Sequence, residues 1–184
     1  MESLTQELLT PRLRLRRWRP DDAQPLAAIN ADPEVTRYLA PPPTAPPTPT
    51  GAREFLRRLM RHWDLHGFGL WALESREPQA AGRLLGFAGI AYPTFMPELA
   101  GEVEIGWRLA RAAWGRGLAT EAGLVVREDA FGTHRLSALI SIIHPDNLRS
   151  RRVAIKLGMN LERHAHNPLL RRQVEVWRVR RPHA

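Results

Sequence analysis

The sequence predicts an α/β (α+β) protein, with a mixed, mostly antiparallel sheet of about seven strands flanked by helices. Three observations carry this reading. Residues 13–18 (LRLRRW) and 102–109 (EVEIGWRL) alternate with the period of two that a half-buried strand requires. Residues 52–66 place Phe55, Leu59, Trp63 and His66 three or four apart, the spacing of one helix face. Gly67 and Gly158 each stand just past a helical pattern, where a left-handed residue ends a helix.

The elements follow in order. After the first strand, Pro20-Asp21-Asp22 opens a helix through Asn30, and a short helix covers 34–39. Residues 41–50 (PPPTAPPTPT) lack most backbone donors and predict an extended loop. The helix over 52–66 comes next, then strands over 68–74 and 84–92, then the strand over 102–109. A helix over 117–131, a buried strand over 136–143 (LSALISII), a helix over 148–157 and strands over 160–165 and 173–180 complete the chain.

A chain of 184 residues fits one domain, residues 1–184. No apolar run reaches the roughly 18–20 residues of a membrane span, and residues 1–10 lack the basic-then-apolar order of a signal peptide. These features predict a cytoplasmic protein that makes no membrane contact. With no cysteine, disulfides, thiolate metal sites and thiol nucleophiles are excluded together. The histidines fit no zinc spacing, so no metal is expected. Net charge is +8, and of 27 basic residues only Lys156 is lysine. Arginine's planar fork suits phosphate, although a chain rich in Arg, Ala, Leu and Pro throughout also reads as a compositional bias.

The stretch over 104–121, EIGWRLARAAWGRGLATE, concentrates the chemistry. A strand ends at Leu109, and Gly115-Arg116-Gly117 leads straight into a helix. Glycines allow close approach of the backbone to a ligand, and the first amides of a helix lack intrahelical partners at the positive end of its dipole. Together they form a phosphate cradle, to which Arg116 and Arg111 could add charge-assisted hydrogen bonds. No Gly-Lys pair exists for a P-loop, and Thr120 occupies the third glycine position of a dinucleotide fingerprint.

Beyond this loop, the chain resembles the GNAT acetyltransferase superfamily over nearly its full length, in the branch of the RimJ/RimL-type N-terminal acetyltransferases. The resemblance rests on LTPRLRLR at 9–16, DPEVTRYL at 32–39, GFGLWAL at 67–73, LGFAG at 85–89, EIGW at 104–107, WGRGLATE at 114–121, NLRS at 147–150 and KLGM at 156–159. It implies a GNAT fold whose sheet is splayed between the fourth and fifth strands, and acetyl-CoA as acyl donor. The main chain around Trp107, Arg108 and Leu109 would then bind the pantetheine arm, with Asn147 on a pantetheine amide. Amides from Trp114, Gly115, Arg116, Gly117, Leu118, Ala119 and Thr120 would hold the pyrophosphate. Where many relatives carry Gln or Arg at the head of the loop, this chain has Trp114.

Aminolysis of a thioester needs a neutral amine, an oxyanion stabiliser and a proton route. Glu104 is the preferred base, acting through water, with Glu102 as its rival on the same face by alternation. Ser150 is the candidate donor to the departing thiolate, by analogy with the matching serine of the Rim-type branch; its other reading is a first-turn helix cap. The tyrosine that many GNAT enzymes use in this helix is replaced by Ala154. The expected reaction is transfer of an acetyl group to a primary amine, on a small molecule or a peptide, with a ribosomal protein among the acceptors the resemblance implies. A silent CoA-binding sensor and a basic ribosome- or nucleic-acid-binding module are the alternatives. No reader motif supports the last, so nucleic acid is not an expected partner. A monomer and a homodimer remain equally open.

Overall fold

The computed structural model describes residues 7–39, 48–168 and 171–182. Its strands are β1 (Leu8–Leu9), β2 (Leu13–Arg16), β3 (Leu70–Ser75), β4 (Leu84–Ala91), β5 (Glu104–Leu109), β6 (Ala138–Ile143), β7 (Asn160–Asn167) and β8 (Arg172–Arg180). The helices are α1 (Ala23–Ala31), α2 (Pro33–Thr36), α3 (Pro49–His66), α4 (Leu118–Gly132) and α5 (Leu148–Lys156). One sheet carries the strands in the order β1-β2-β3-β4-β5-β6-β8-β7. Every neighbouring pair is antiparallel except β5 and β6.

An additional strand thus precedes the seven read from the sequence. β1 pairs Leu8 with Leu15 and Leu9 with Arg14, and two residues are too short to show a period. Helix α3 begins earlier than its apolar stripe suggests. Thr48 caps it by accepting from the Gly51 N–H at 3.1 Å, and Pro49 takes the first turn, where its missing N–H costs nothing. Of the segment 41–50 expected as an extended loop, residues 41–47 lie outside the described residues, and residues 49–50 belong to α3 instead. Among the described residues, no helix is long and apolar enough to cross a membrane.

The sheet is open at one place. β5 runs along β4 from Glu104 to Leu109, whereas it meets β6 at Glu104–Ile140 alone. The splay predicted between the fourth and fifth strands lies here, between β5 and β6 in the full count. Ile105, Leu109, Leu118, Ala122 and Val126 share the main core, which packs α4 under β4 and β5.

The other sheet face is pinned to α1 by a buried ionic network. Arg16 donates from Nη1 and Nη2 to Asp22, each at 2.8 Å, and from Nε to Glu74 at 2.6 Å. The carboxylates hold the Arg16 pKa above its ordinary value against the pull of burial. Asp22 immediately precedes α1, so the network sets where that helix crosses the sheet.

Candidate active site

The helix start at Leu118 is made by two left-handed glycines, Gly115 at φ 73° and Gly117 at φ 77°. Any other L-residue would be strained at either position. A Cβ on Gly115 would meet no atom within 4 Å, and one on Gly117 would approach only Arg12 Nη2, at 3.7 Å. The bend is therefore open on its outer side. Main-chain pairing stops at the Trp114 N–H, which donates to Arg111, and resumes at the Glu121 N–H, which donates to Gly117. Between them, among the described residues, the amides of Gly115, Arg116, Gly117, Leu118, Ala119 and Thr120 have no acceptor. Six consecutive donors at the positive end of a helix form an anion cradle.

The loop is held from behind by residues that are distant in sequence. Glu121 accepts from the Thr10 hydroxyl at 2.6 Å, from the Arg12 N–H at 3.0 Å and from Arg12 Nε at 2.7 Å. Arg12 Nη1 in turn donates to the Arg116 carbonyl at 2.9 Å. These partners hold the Glu121 pKa below its ordinary value, even though burial alone would raise it. Sequence reasoning missed this brace, because Thr10 and Arg12 stand more than a hundred residues from Glu121. Conversely, the Arg116 guanidinium is not turned to the cradle: it pairs with Glu77 at 2.5 Å, leaving the Arg116 amide as its free donor. Glu121→Ala is expected to weaken anion binding at the bend about tenfold by releasing the loop's anchor, a loss that a calorimetric titration with pyrophosphate would read directly.

Trp114 links the cradle to both walls of the splay. Its Nε1 donates to the Leu109 carbonyl at 2.8 Å, and the Arg149 guanidinium lies 4.6 Å from its ring centroid. Along β5, residues 104, 106, 108 and 110 turn their main-chain groups to β4, as the Ala110 N–H bond to Leu85 shows; odd residues face β6. Val103 spends its carbonyl on the Ile140 N–H. Beyond that bridge, Trp107 presents its main chain to the opening. On the far wall, Asn147 caps α5, its Oδ1 accepting from the Ser150 N–H at 3.1 Å, which leaves Nδ2 as a donor. Asn147 therefore takes the capping role that the alternative reading gave Ser150. Among the described residues the Ser150 hydroxyl has no hydrogen-bond partner.

Glu104 begins β5 at the closed end of the splay. The residue as a whole is half-buried, but its carboxyl end is desolvated. Burial pushes its pKa up to about 7, only partly countered by a hydrogen bond from the Ile142 main chain. Glu102 differs in every respect. It lies ahead of the strand and forms a two-pronged ion pair with Arg178, at 2.6 and 3.0 Å, which holds its pKa below the ordinary value. Two carboxylates separated by one residue are thus in opposite electrostatic states.

Tyr38 stacks on His144 with centroids 5.2 Å apart, joining the end of the α1–α2 region to the turn after β6. Ala154 is fully buried, so α5 offers no phenol to the opening. Glu175, a buried carboxylate on β8 that sequence reasoning did not single out, accepts from Trp177 Nε1 at 2.9 Å and pairs with Arg151 at 3.3 Å. Among the described residues, no group of three or more His, Asp or Glu is placed to hold a metal ion.

Residues 12–160 match the acetyltransferase (GNAT) domain family. The chain belongs to that family. The uncharacterized protein YkkB of Bacillus subtilis is 30% identical over 155 residues, 84% of this chain and 85% of that protein. An acetyltransferase from Agrobacterium tumefaciens has the same fold, with a TM-score of 0.79 at 27% identity over 96% of this chain and 95% of that one. The ribosomal-protein-S5-alanine acetyltransferase from Vibrio fischeri reaches a TM-score of 0.77 at 16% identity, covering 95% and 96% of the two chains. At that identity the likeness concerns the fold. GNAT acetyltransferases use acetyl-CoA, and the residues here fit it: unspent amides suit a diphosphate, and an unpaired strand edge suits the amides of pantetheine.

Proposed function

We propose that this GNAT protein transfers an acetyl group from acetyl-CoA to a primary amine, with both substrates bound at once and residues 1–184 acting as one domain. The observation that carries the reading is the run of six unspent amides from Gly115 to Thr120, beside the strand edge that β6 leaves open. Bound there, acetyl-CoA supplies an activated acetyl thioester. The amides hold the diphosphate, while the main chain of Trp107 and Leu109 on β5 and Asn147 Nδ2 flank the pantetheine arm; the Arg108 main chain, expected there from the resemblance, is turned to β4 instead.

Glu104 takes the proton of the attacking amine through water. A carboxyl with a pKa near 7 is ionised in half the molecules at neutral pH and is far more basic than an ordinary carboxylate. Ser150, with its hydroxyl uncommitted at the first turn of α5, is the proton donor to the thiolate; water serves as well, because a thiolate is a good leaving group. Within the family we place the chain in the Rim-type branch, on the order and spacing of DPEVTRYL, WGRGLATE and NLRS. A ribosomal-protein N-terminus is accordingly one candidate acceptor beside small amines.

Incubating the protein with acetyl-CoA and a panel of primary amines, and following release of free thiol, tests this reading. Thiol release that depends on an amine supports it. Coenzyme binding without release for any amine would overturn transfer and leave a silent CoA-binding protein, a reading that the missing phenol at Ala154 favours.

A further inference from the structure

The side chain of Arg108 has a different environment from its main chain. Glu104, Gly106 and Arg108 alternate with Ile105, Trp107 and Leu109 and so share one face of β5. On that face Arg108 Nη1 donates to Asn30 Oδ1 of α1 at 2.7 Å, and the guanidinium lies 5.9 Å from the Phe55 ring centroid and 5.0 Å from that of Phe87. Among the described residues Arg108 forms no ion pair, and its Nε is buried without a hydrogen-bond partner. Burial pulls its pKa down to about 10, which still leaves it charged at neutral pH.

Asn30 repeats the deficit. It is only 4% exposed, and its Nδ2 is also buried and unpartnered. Its orientation follows from Arg108, which can only donate and so requires the amide oxygen to face it. Two adjacent buried groups therefore lack partners, and both missing partners are acceptors. Ring faces and one neutral amide oxygen supply only part of what a buried guanidinium loses with its water.

The nearby carboxylates are committed elsewhere. Asp32 caps α2 through the Glu34 N–H at 2.9 Å, and Glu104 lies four residues along the strand, about 13 Å between Cα atoms. Residues 40–47 (APPPTAPP) contain no acidic side chain. Between Glu104 and Arg108, a Cβ on Gly106 would meet no atom within 4 Å, so the face is open at that position, between two side chains that are themselves desolvated. Resting on the transfer reading above, we propose that the acceptor is an amine that also carries a carboxylate, which Arg108 Nε and Asn30 Nδ2 bind while the amine lies toward Glu104.

The test compares matched acceptors. One arm uses ω-amino acids of graded chain length against their primary amides; the other uses short peptides that differ only in Glu or Gln after a free N-terminus. The expected ratio of kcat/KM, acid over amide, is about 10–100 at the best length, chiefly through KM. In Arg108→Gln the ratio should fall to about 1. It should fall likewise in Asn30→Asp, which sets a carboxylate of the protein beside Arg108 and is expected to raise Tm rather than unfold the chain. The arm with the larger ratio tells whether the carboxylate belongs to a small molecule or a peptide.

A wild-type ratio near 1 in both arms overturns the proposal however the variants fold. A high ratio that survives in both variants overturns the assignment to Arg108 and Asn30. If no amine releases thiol, the transfer reading fails on its own, and the affinity of CoA-saturated protein for acid over amide, measured by calorimetry, decides the binding claim separately.

Discussion

Gly117→Trp is expected to abolish the protection that coenzyme A gives the protein against heat. In the wild type, ligand at about a hundred times its Kd adds roughly 2.7 kcal/mol. For a chain of this size that raises Tm by about 5–10 °C. Gly117 lies at φ 77° with its outer side open, so an indole there occupies the space into which the amides of residues 115–120 point. The variant's shift should be under about 1 °C. Left-handed strain at a non-glycine residue costs about 1–2 kcal/mol, so the unliganded variant melts a few degrees lower but folds. Gly117→Ala carries the same strain without the bulk and should retain most of the shift. Scanning calorimetry of the three proteins, with and without coenzyme, decides the matter: a full shift in the tryptophan variant rejects the cradle.

Glu104→Gln is expected to lower kcat/KM about 10²–10⁴-fold while leaving the coenzyme-dependent Tm shift intact. The base must be ionised to act, so wild-type kcat/KM should fall as pH drops through about 7. Both proteins share the fall that protonation of the acceptor amine causes, so the variant's kcat/KM should drop less steeply below about pH 7 than that of the wild type. Stability gives an independent readout with the opposite sign from an ion-paired carboxylate. Because the folded pKa of Glu104 is raised, the folded state holds a proton that the unfolded chain has already lost between roughly pH 4.5 and 7, and stability falls as pH climbs through that window. Glutamine removes the penalty, so the variant should melt above wild type at pH 8, with the difference shrinking toward pH 5. Glu102→Gln should lack this signature, since Arg178 already holds that carboxylate ionised. An unaltered pH profile in Glu104→Gln would reject Glu104 as the base.

Much of the fold was legible in the sequence because its signals are local. Alternation over LRLRRW and EVEIGWRL, apolar residues three and four apart from Phe55 to Trp63, and Gly67 and Gly158 as helix ends all depend on neighbours within a few positions. β1 escaped notice because two residues carry no period, and α3 gained a turn because Thr48 and Pro49 make a good start without extending the apolar stripe. In the candidate site, Gly115-Arg116-Gly117 before a helix was enough to predict the left-handed bend and the open amides that follow it. The brace behind it was not readable: LTPRLRLR and WGRGLATE both stood out as motifs, yet nothing in either says that Arg12 and Glu121 meet. Arg116 likewise had the right charge for phosphate, and only the fold gave it Glu77.

By itself, then, the sequence determined where strands, helices and the glycine bend lie, since backbone conformation and the open amides of a helix start are short-range matters. The tertiary structure alone decided the state of each charge. Glu102 and Glu104 are the same side chain two positions apart, and Arg178 and Arg108 are the same guanidinium. One member of each pair has a counter-ion and the other is desolvated without one, because strands and helices far away in sequence supply an opposite charge in one case and only neutral partners in a low dielectric in the other.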